Sequence, residues 1–361
     1  MNDKPMNEKT QFKDKDGQVK EKKKVAIALQ GGGAHGAFAW GVMDRLLEEE
    51  DLFFEGASGT SAGGMNSASL IDGVIHGGNA AARAKLNDYW RGMAELSKKI
   101  SPYQLSPIDK YNKYYNLDRS PGPLLMNFLG SFLSPYQMNP ANYNPFEDYC
   151  RNFFNFQDIR ENKEHKIFLG ATHVKTGKIK IFSNDQFCPD ALMASACLPF
   201  MYQAVQVDGE YYWDGGYIAN PAIYPLIYNC EAKDIILVQL TRTHCSEIPT
   251  THAAIQDRYK EITYNNCLVR EMRAVHLITK MIDQGIIKDP SVKRVNMHLI
   301  KNEDAFRGLN LTSALNTDWD FLQMLKEAGR STADNWLKAN KHHICSDQHR
   351  LDEAVFANFV G

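Results

Sequence analysis

Apolar residues fall along the chain in short blocks separated by glycine-rich or polar turns, and the first blocks repeat a strand-then-helix order. The run KVAIALQ predicts a buried strand. GGGAHG follows, and AFAWGVMDRLLEEE then spaces Phe38, Val42 and Leu46 along one helical face. LFFEGASGTSAGG repeats the order, with an apolar strand, a Gly/Ser turn and MNSASLIDGVI as a helix of small residues. Two such units in succession predict an α/β fold on a mostly parallel sheet. Residues 78–98 predict another helix. HKIFLGATHV and GKIKIFSN read as strands joined through KTG, and PDALMASACLPF as a helix ended by Pro199. AVQVDGEYYWDGGYIANPAIYPLI reads as a hairpin, a glycine turn and a short helix. DIILVQL predicts a buried strand, 252–285 a long helix, 291–301 a strand and 317–340 a further helix. No repeat or linker interrupts the series, so a single domain is expected over 24–345, with a C-terminal tail at 346–361.

Two stretches break the pattern. Residues 101–160 are rich in Pro, Asn, Tyr and Phe and read as an insertion over the fold. Within it GPLLMNFLGSFL, Gly122 to Leu133, either packs against the core or serves as a lid or membrane-contacting segment. Residues 1–23 are polar and lysine-rich and read as a disordered, solvated tail. Its end, with Lys20, Lys22, Lys23 and Lys24, would also suit a weak electrostatic tether to anionic lipid.

Composition narrows the function classes. The chain has 361 residues, 43% hydrophobic and 23% charged, with a net charge of −2. That balance suits a packed core and gives no basic face for nucleic acid. The 7 cysteines are scattered, with no C-x-x-C pair or Cys/His ligand cluster, and read as buried free thiols in a reducing compartment. There is no apolar leader and no run of about 18 apolar residues to span a membrane. The expected location is the cytoplasm or a membrane periphery, and export as a bacterial effector is equally compatible with the absent leader.

The chemistry concentrates in three places. Gly31, Gly33 and Gly36 fit G-x-G-x-x-G after a strand, which is either a dinucleotide-binding turn or a loop whose N–H groups hold an oxyanion. Gly59-Thr60-Ser61-Ala62-Gly63 is G-x-S-x-G between a strand and a helix, the setting of a nucleophile elbow. Glu55 lies near where a dinucleotide site would want a ribose-binding acid, yet the chain runs straight into the serine turn. One site using both loops is the simpler account, with Ser61 as nucleophile. None of the 11 histidines has a setting that singles it out as base, His298, His342 and His343 included. Asp214, followed by Gly215 and Gly216, is the better candidate. Its ordinary pKa of about 3.9 requires burial to make it a useful base.

In this order and spacing, GGGAHG, GTSAGG and DGG resemble the patatin-like phospholipases, in particular their bacterial branch. ATHVKTGK, ASACLPF, YWDGGYIANPAIYPLI and EITYNNCLVREMR extend the resemblance from about Lys24 to Asp283. It implies a three-layer α/β/α fold and a lipid acyl hydrolase acting on phospholipid or lysophospholipid at a membrane surface. It implies a Ser61–Asp214 dyad without histidine or metal, and an oxyanion hole lined by the N–H groups of Gly32, Gly33 and Ala34. A thioesterase or neutral-lipid esterase would use the same dyad, and a silent lipid-binding scaffold the same fold. One position departs from the family: His35 stands where Arg or Lys is usual, replacing a fixed charge with one expected to titrate near neutrality.

Overall fold

The computed structural model describes residues 10–13, 17–245, 247–346 and 353–360. Among these, the strands are β1 Gln11–Lys13, β2 Val19–Glu21, β3 Lys23–Leu29, β4 Leu52–Gly59, β5 Lys166–His173, β6 Ile179–Phe182, β7 Val205–Val207, β8 Glu210–Asp214, β9 Asp234–Gln239 and β10 Asn296–Lys301. The helices are α1 Gly36–Leu46, α2 Ala62–Ile100, α3 Pro107–Tyr111, α4 Pro121–Gly130, α5 Pro135–Met138, α6 Pro145–Phe153, α7 Phe156–Glu161, α8 Pro189–Ser195, α9 Tyr224–Asn229, α10 His252–Asp283, α11 Trp319–Asn340 and α12 Glu353–Val360.

Strands β3 to β10 form one eight-stranded sheet. β10, β9, β3, β4 and β5 run parallel to their neighbours, and β6, β7 and β8 are antiparallel additions. The central strands bury both faces, as a parallel sheet between helices must. Along β3, Val25, Ile27 and Leu29 join a core with Phe38, Met65 and Phe321, from α1, α2 and α11. Ala26 and Ala28 join a second core with Leu226, Leu268 and Phe356, from α9, α10 and α12. The period of two along one strand therefore divides two helical layers, giving a three-layer α/β/α sandwich.

One detail of the sheet places the site. Leu169 pairs with both Gly59 of β4 and Phe182 of β6, while Ala171 pairs with both Lys180 of β6 and Asp214 of β8. A strand residue has only two edges, so β6 occupies one edge of β5, and β4 and β8 share the other. They meet there from opposite directions.

Several predicted elements shift. The helix predicted up to Pro199 ends at Ser195, and the one predicted over 317–340 begins at Trp319. The two helices predicted on either side of residue 77 are one element, broken at Gly77–Gly78, where Gly78 has φ +67°. Two segments read as tails carry structure. Gln11–Lys13 pairs with Val19–Glu21, and α12 buries Val355, Phe356 and Phe359 against the α10 layer.

Candidate active site

The turn after β4 sets the first side chain. Ser61 has φ 55° and ψ −126°, a left-handed conformation costing a non-glycine residue on the order of 1–3 kcal/mol. Its N–H is held by Ser195, whose carbonyl and Oγ lie at 3.0 and 3.1 Å. Gly63 N donates to Thr60 O at 2.8 Å, and Met65 N to Ser61 O at 3.0 Å, so helix α2 starts directly behind the serine. Its N-terminal N–H groups put partial positive charge beside the hydroxyl. Gly59 and Gly63 are required here, since a Cβ on either would strike the carbonyl of Gly63 or of Leu29.

The glycine loop after β3 packs onto this turn. A Cβ at Gly31 would stand 2.5 Å from Thr60 O and 2.9 Å from Ser61 Cβ, and one at Gly36 2.8 Å from Ala62 Cβ. Gly31 N donates to Asn220 Oδ1 at 2.6 Å. Among the described residues, the N–H groups of Gly32, Gly33 and Ala34 have no protein acceptor. Gly33 has φ +58° and faces the Ala314 carbonyl, so neither its conformation nor its neighbour admits a side chain.

The third part is Asp214, the last residue of β8 and 2% exposed. Its N–H donates to Cys197 O at 2.8 Å, and its Oδ1 accepts the Gly216 N–H at 2.6 Å. Oδ2 is buried and makes no aligned hydrogen bond. Burial raises the Asp214 pKa to about 6, against the Gly216 N–H, the Ser61 hydroxyl and the charge of Lys260, which all favour the carboxylate. Gly215 is forced by the Gly170 carbonyl, which a Cβ would strike.

Polar side chains that the motifs do not contain fix the spacing of these parts. Gln30 is fully buried and saturated: its Nε2 donates to Asn220 O and Asn265 Oδ1, and its Oε1 accepts from Leu240 N and Thr241 N. Asn265, on α10, donates to Arg242 O at 2.8 Å. Thr60 Oγ1 donates to Ala219 O, and Ser58 Oγ to Ala222 O at 2.6 Å, tying the serine strand to the loop after Asp214. The Asn-Pro step after DGG and the Gln before GGG were the available signals for this network.

Several expectations change. His35 does not carry a charge that titrates near neutrality. Burial lowers its pKa to about 4, so the ring is neutral at physiological pH. Its Nε2 lies 2.7 Å from Ser313 Oγ, which itself donates to Asn310 O, so the ring nitrogen is the donor. His35 fastens the glycine loop to residues 310–316 and supplies no cation. Glu55, at the ribose position of a dinucleotide site, accepts the N–H groups of Glu231 and Ala232 at 2.7 Å each and braces the start of β9. His298 lies 2.8 Å from Asp234 Oδ1, His173 3.2 Å from Glu210 Oε2, and His76 3.0 and 2.7 Å from Asp72 and Asp158. Cys197, beside Asp214, has its thiol pushed up to about 12 by burial and stays protonated. Among the described residues no His/Cys/Asp/Glu group has the arrangement of a metal site, and no helix is long and apolar enough to cross a membrane.

A family model described as patatin-like phospholipase matches residues 27–227, which contain all three loops. No curated protein matches the chain. Among solved structures, VipD from Legionella pneumophila aligns at 15% identity and a TM-score of 0.38, over 91% of this chain and 70% of its own.

Proposed function

The chain belongs to the patatin-like phospholipase family, a family of lipid hydrolases, and from that premise we propose that it cleaves fatty-acyl esters of phospholipids or lysophospholipids through an acyl-serine intermediate. The observation that supports the reading is the buried Asp214 carboxyl, at the end of the strand beside the Ser61 turn, with one unbonded oxygen and a pKa raised by burial to about 6. A carboxylate with that pKa is ionised at neutral pH and is a far better proton acceptor than an ordinary aspartate.

In this reading Asp214 accepts the Ser61 proton as Oγ attacks the ester carbonyl. The N–H groups of Gly32, Gly33 and Ala34 receive the oxyanion, with the start of α2 adding its dipole. Collapse expels the alcohol, which takes the proton from Asp214. Water then attacks the acyl-serine, with Asp214 accepting its proton and returning one to Ser61. Neutral His35 leaves oxyanion stabilisation to the backbone donors alone.

The test is fluorophosphonate labelling and a lipid digest, each with wild type and Ser61→Ala. Labelling and free fatty acid that both vanish in Ser61→Ala are the expected result. Release of fatty acid that persists in Ser61→Ala would remove the serine from the mechanism.

A further inference from the structure

From Ser120 to Phe146 the chain carries no charged residue, yet most of this stretch lies on the surface. Helix α4 occupies its first half and exposes its apolar side chains. Leu124, Leu125, Phe128 and Phe132 are 51–74% exposed, with Phe128 and Phe132 in edge contact at 5.3 Å. Protein surfaces of this extent ordinarily mix in charge, and an uncharged apolar patch marks an interaction site.

The anchors of this segment locate it. On one side, Leu117 N donates to Thr312 Oγ1 at 2.8 Å, and Asn116 bonds to Gly308 and Asn310. Those residues adjoin Ser313 and Ala314, which hold His35 and face Gly33. On the other side, Asn139 O accepts Gln203 Nε2 at 2.7 Å and Tyr136 Oη accepts the Ala204 N–H at 3.2 Å. That strip runs back through Cys197, which bonds the Asp214 N–H, to Ser195, which holds Ser61 N. Phe200, at its middle, is 80% exposed. The segment is therefore tied at one end to the wall of the glycine loop and at the other to the wall of Asp214, with α4 between the ties.

We propose that α4 and Phe200 form the membrane-inserting lip of the site, lying in the interface of an anionic bilayer so that lipid reaches Ser61 without crossing bulk water. The proposal rests on the acyl-hydrolase reading above. The occupant is a lipid surface for three reasons. α4 has ten residues, about 15 Å, too short to span a bilayer and suited to lying in its interface. Tyr136 and Tyr143, both exposed, add the amphipathic rings that favour headgroup depth. Cations flank the helix: Arg119 precedes it, and Lys98 and Lys99 end α2, whose following Pro102 carbonyl meets Gly122. Among the described residues none of these three has a carboxylate partner, and although Arg119 lies over the Tyr114 ring at 4.1 Å its charge is not neutralised, so all three suit anionic headgroups.

The experiment uses the full chain carrying Ser61→Ala, so that lipid is bound and not consumed. Cosedimentation is measured with vesicles of phosphatidylcholine and phosphatidylglycerol, and of phosphatidylcholine alone. The parent should bind the mixed vesicles, and Leu125→Asp with Phe128→Asp should weaken binding at least about tenfold. Both sites are exposed, so the variant should melt with the parent. A separate Phe128→Trp variant should shift its emission to the blue on adding mixed vesicles. Equal binding by parent and double variant, or an unchanged emission from the Phe128→Trp variant, would overturn the proposal. So would loss of a self-associated species, seen by sedimentation velocity, in the double variant, since the patch would then be covered by a second copy. Hydrolysis of a soluble short-chain ester by the wild type is read separately. Its absence alongside vesicle binding would sink the acyl-hydrolase reading and leave the docking surface standing.

Discussion

Gly59 and Asp214 share one edge of β5, opposite Leu169 and Ala171, with Gly170 alone between those two positions. The end of a parallel strand and the end of an antiparallel one converge there, and Ser61 lies just past the first. A Cβ at Gly170 would stand 2.9 Å from Thr60 Oγ1 and 3.1 Å from Ala219 Cβ, the side chain and residue that join the two ends. Gly170→Ala is expected to fold with a lowered melting temperature, since overpacking costs about 1–3 kcal/mol. It is also expected to lose about tenfold or more in kcat with little change in KM. Unchanged kcat beside a lowered Tm would mean that the spacing of the strand ends does not govern the chemistry.

Asp214→Asn separates activity from stability. Burial raises the folded pKa to about 6, above the unfolded value, so the folded state binds the proton more tightly between about pH 4 and 6. Native stability therefore falls as pH rises through that window, by an amount on the order of 2–3 kcal/mol that remains absent above it. Asparagine keeps the oxygen that accepts the Gly216 N–H and carries no charge to desolvate. The variant should be inactive, yet more stable than wild type at neutral pH, with the gain vanishing near pH 4. Denaturant titrations at the two pH values check this. A variant less stable than wild type at neutral pH would contradict the desolvation account.

The strand–turn–helix order of the first two units is legible in the sequence because a continuous apolar run, a glycine turn and a period of 3.6 follow one another with little interruption. The three loops are legible because close approach of neighbouring backbone demands glycine at fixed offsets, as Gly31, Gly59 and Gly63 show by what a Cβ there would strike. Gln30, Asn220 and Asn265 escape because a buried amide looks in sequence like any surface amide, and only the fold shows all four bonds of Gln30 made. His35 misleads for a related reason. Its letter gives an ordinary pKa, and burial takes it down to about 4. Helix α12 has too few residues to declare itself until Phe356 and Phe359 are seen against the α10 layer.

Lys260 should set the acid limb of the pH–rate profile. It lies on α10, partly buried, with no salt bridge among the described residues. Burial lowers its own pKa, and its charge holds that of Asp214 down. The rate should rise with pH as Asp214 ionises, around pH 6. Lys260→Met removes the charge and should move that limb to higher pH by a few tenths of a unit to about one unit. Lys260→Arg should restore it. A limb unmoved by Met would show that another group titrates there.

His35 makes the opposite contribution to that of Asp214. The unfolded chain binds the histidine proton near pH 6.5, whereas burial delays this in the folded state to about pH 4. Its contribution is thus intact above about pH 6.5 and is lost as pH falls through the window, by about 3 kcal/mol at its lower end. His35→Gln cannot take up that proton. At about pH 7.5 it should be less stable than wild type by about 1 kcal/mol, the worth of the bond to Ser313. At about pH 5 the deficit should shrink or reverse, because only wild type carries the proton-linked penalty. Activity should stay within about tenfold of wild type, since the neutral ring gives the oxyanion no charge to lose. Denaturant midpoints for both proteins at the two pH values decide the matter. A deficit that is equal at both would show that the ring is not held neutral, and a loss of activity matching Ser61→Ala would place His35 in the chemistry itself.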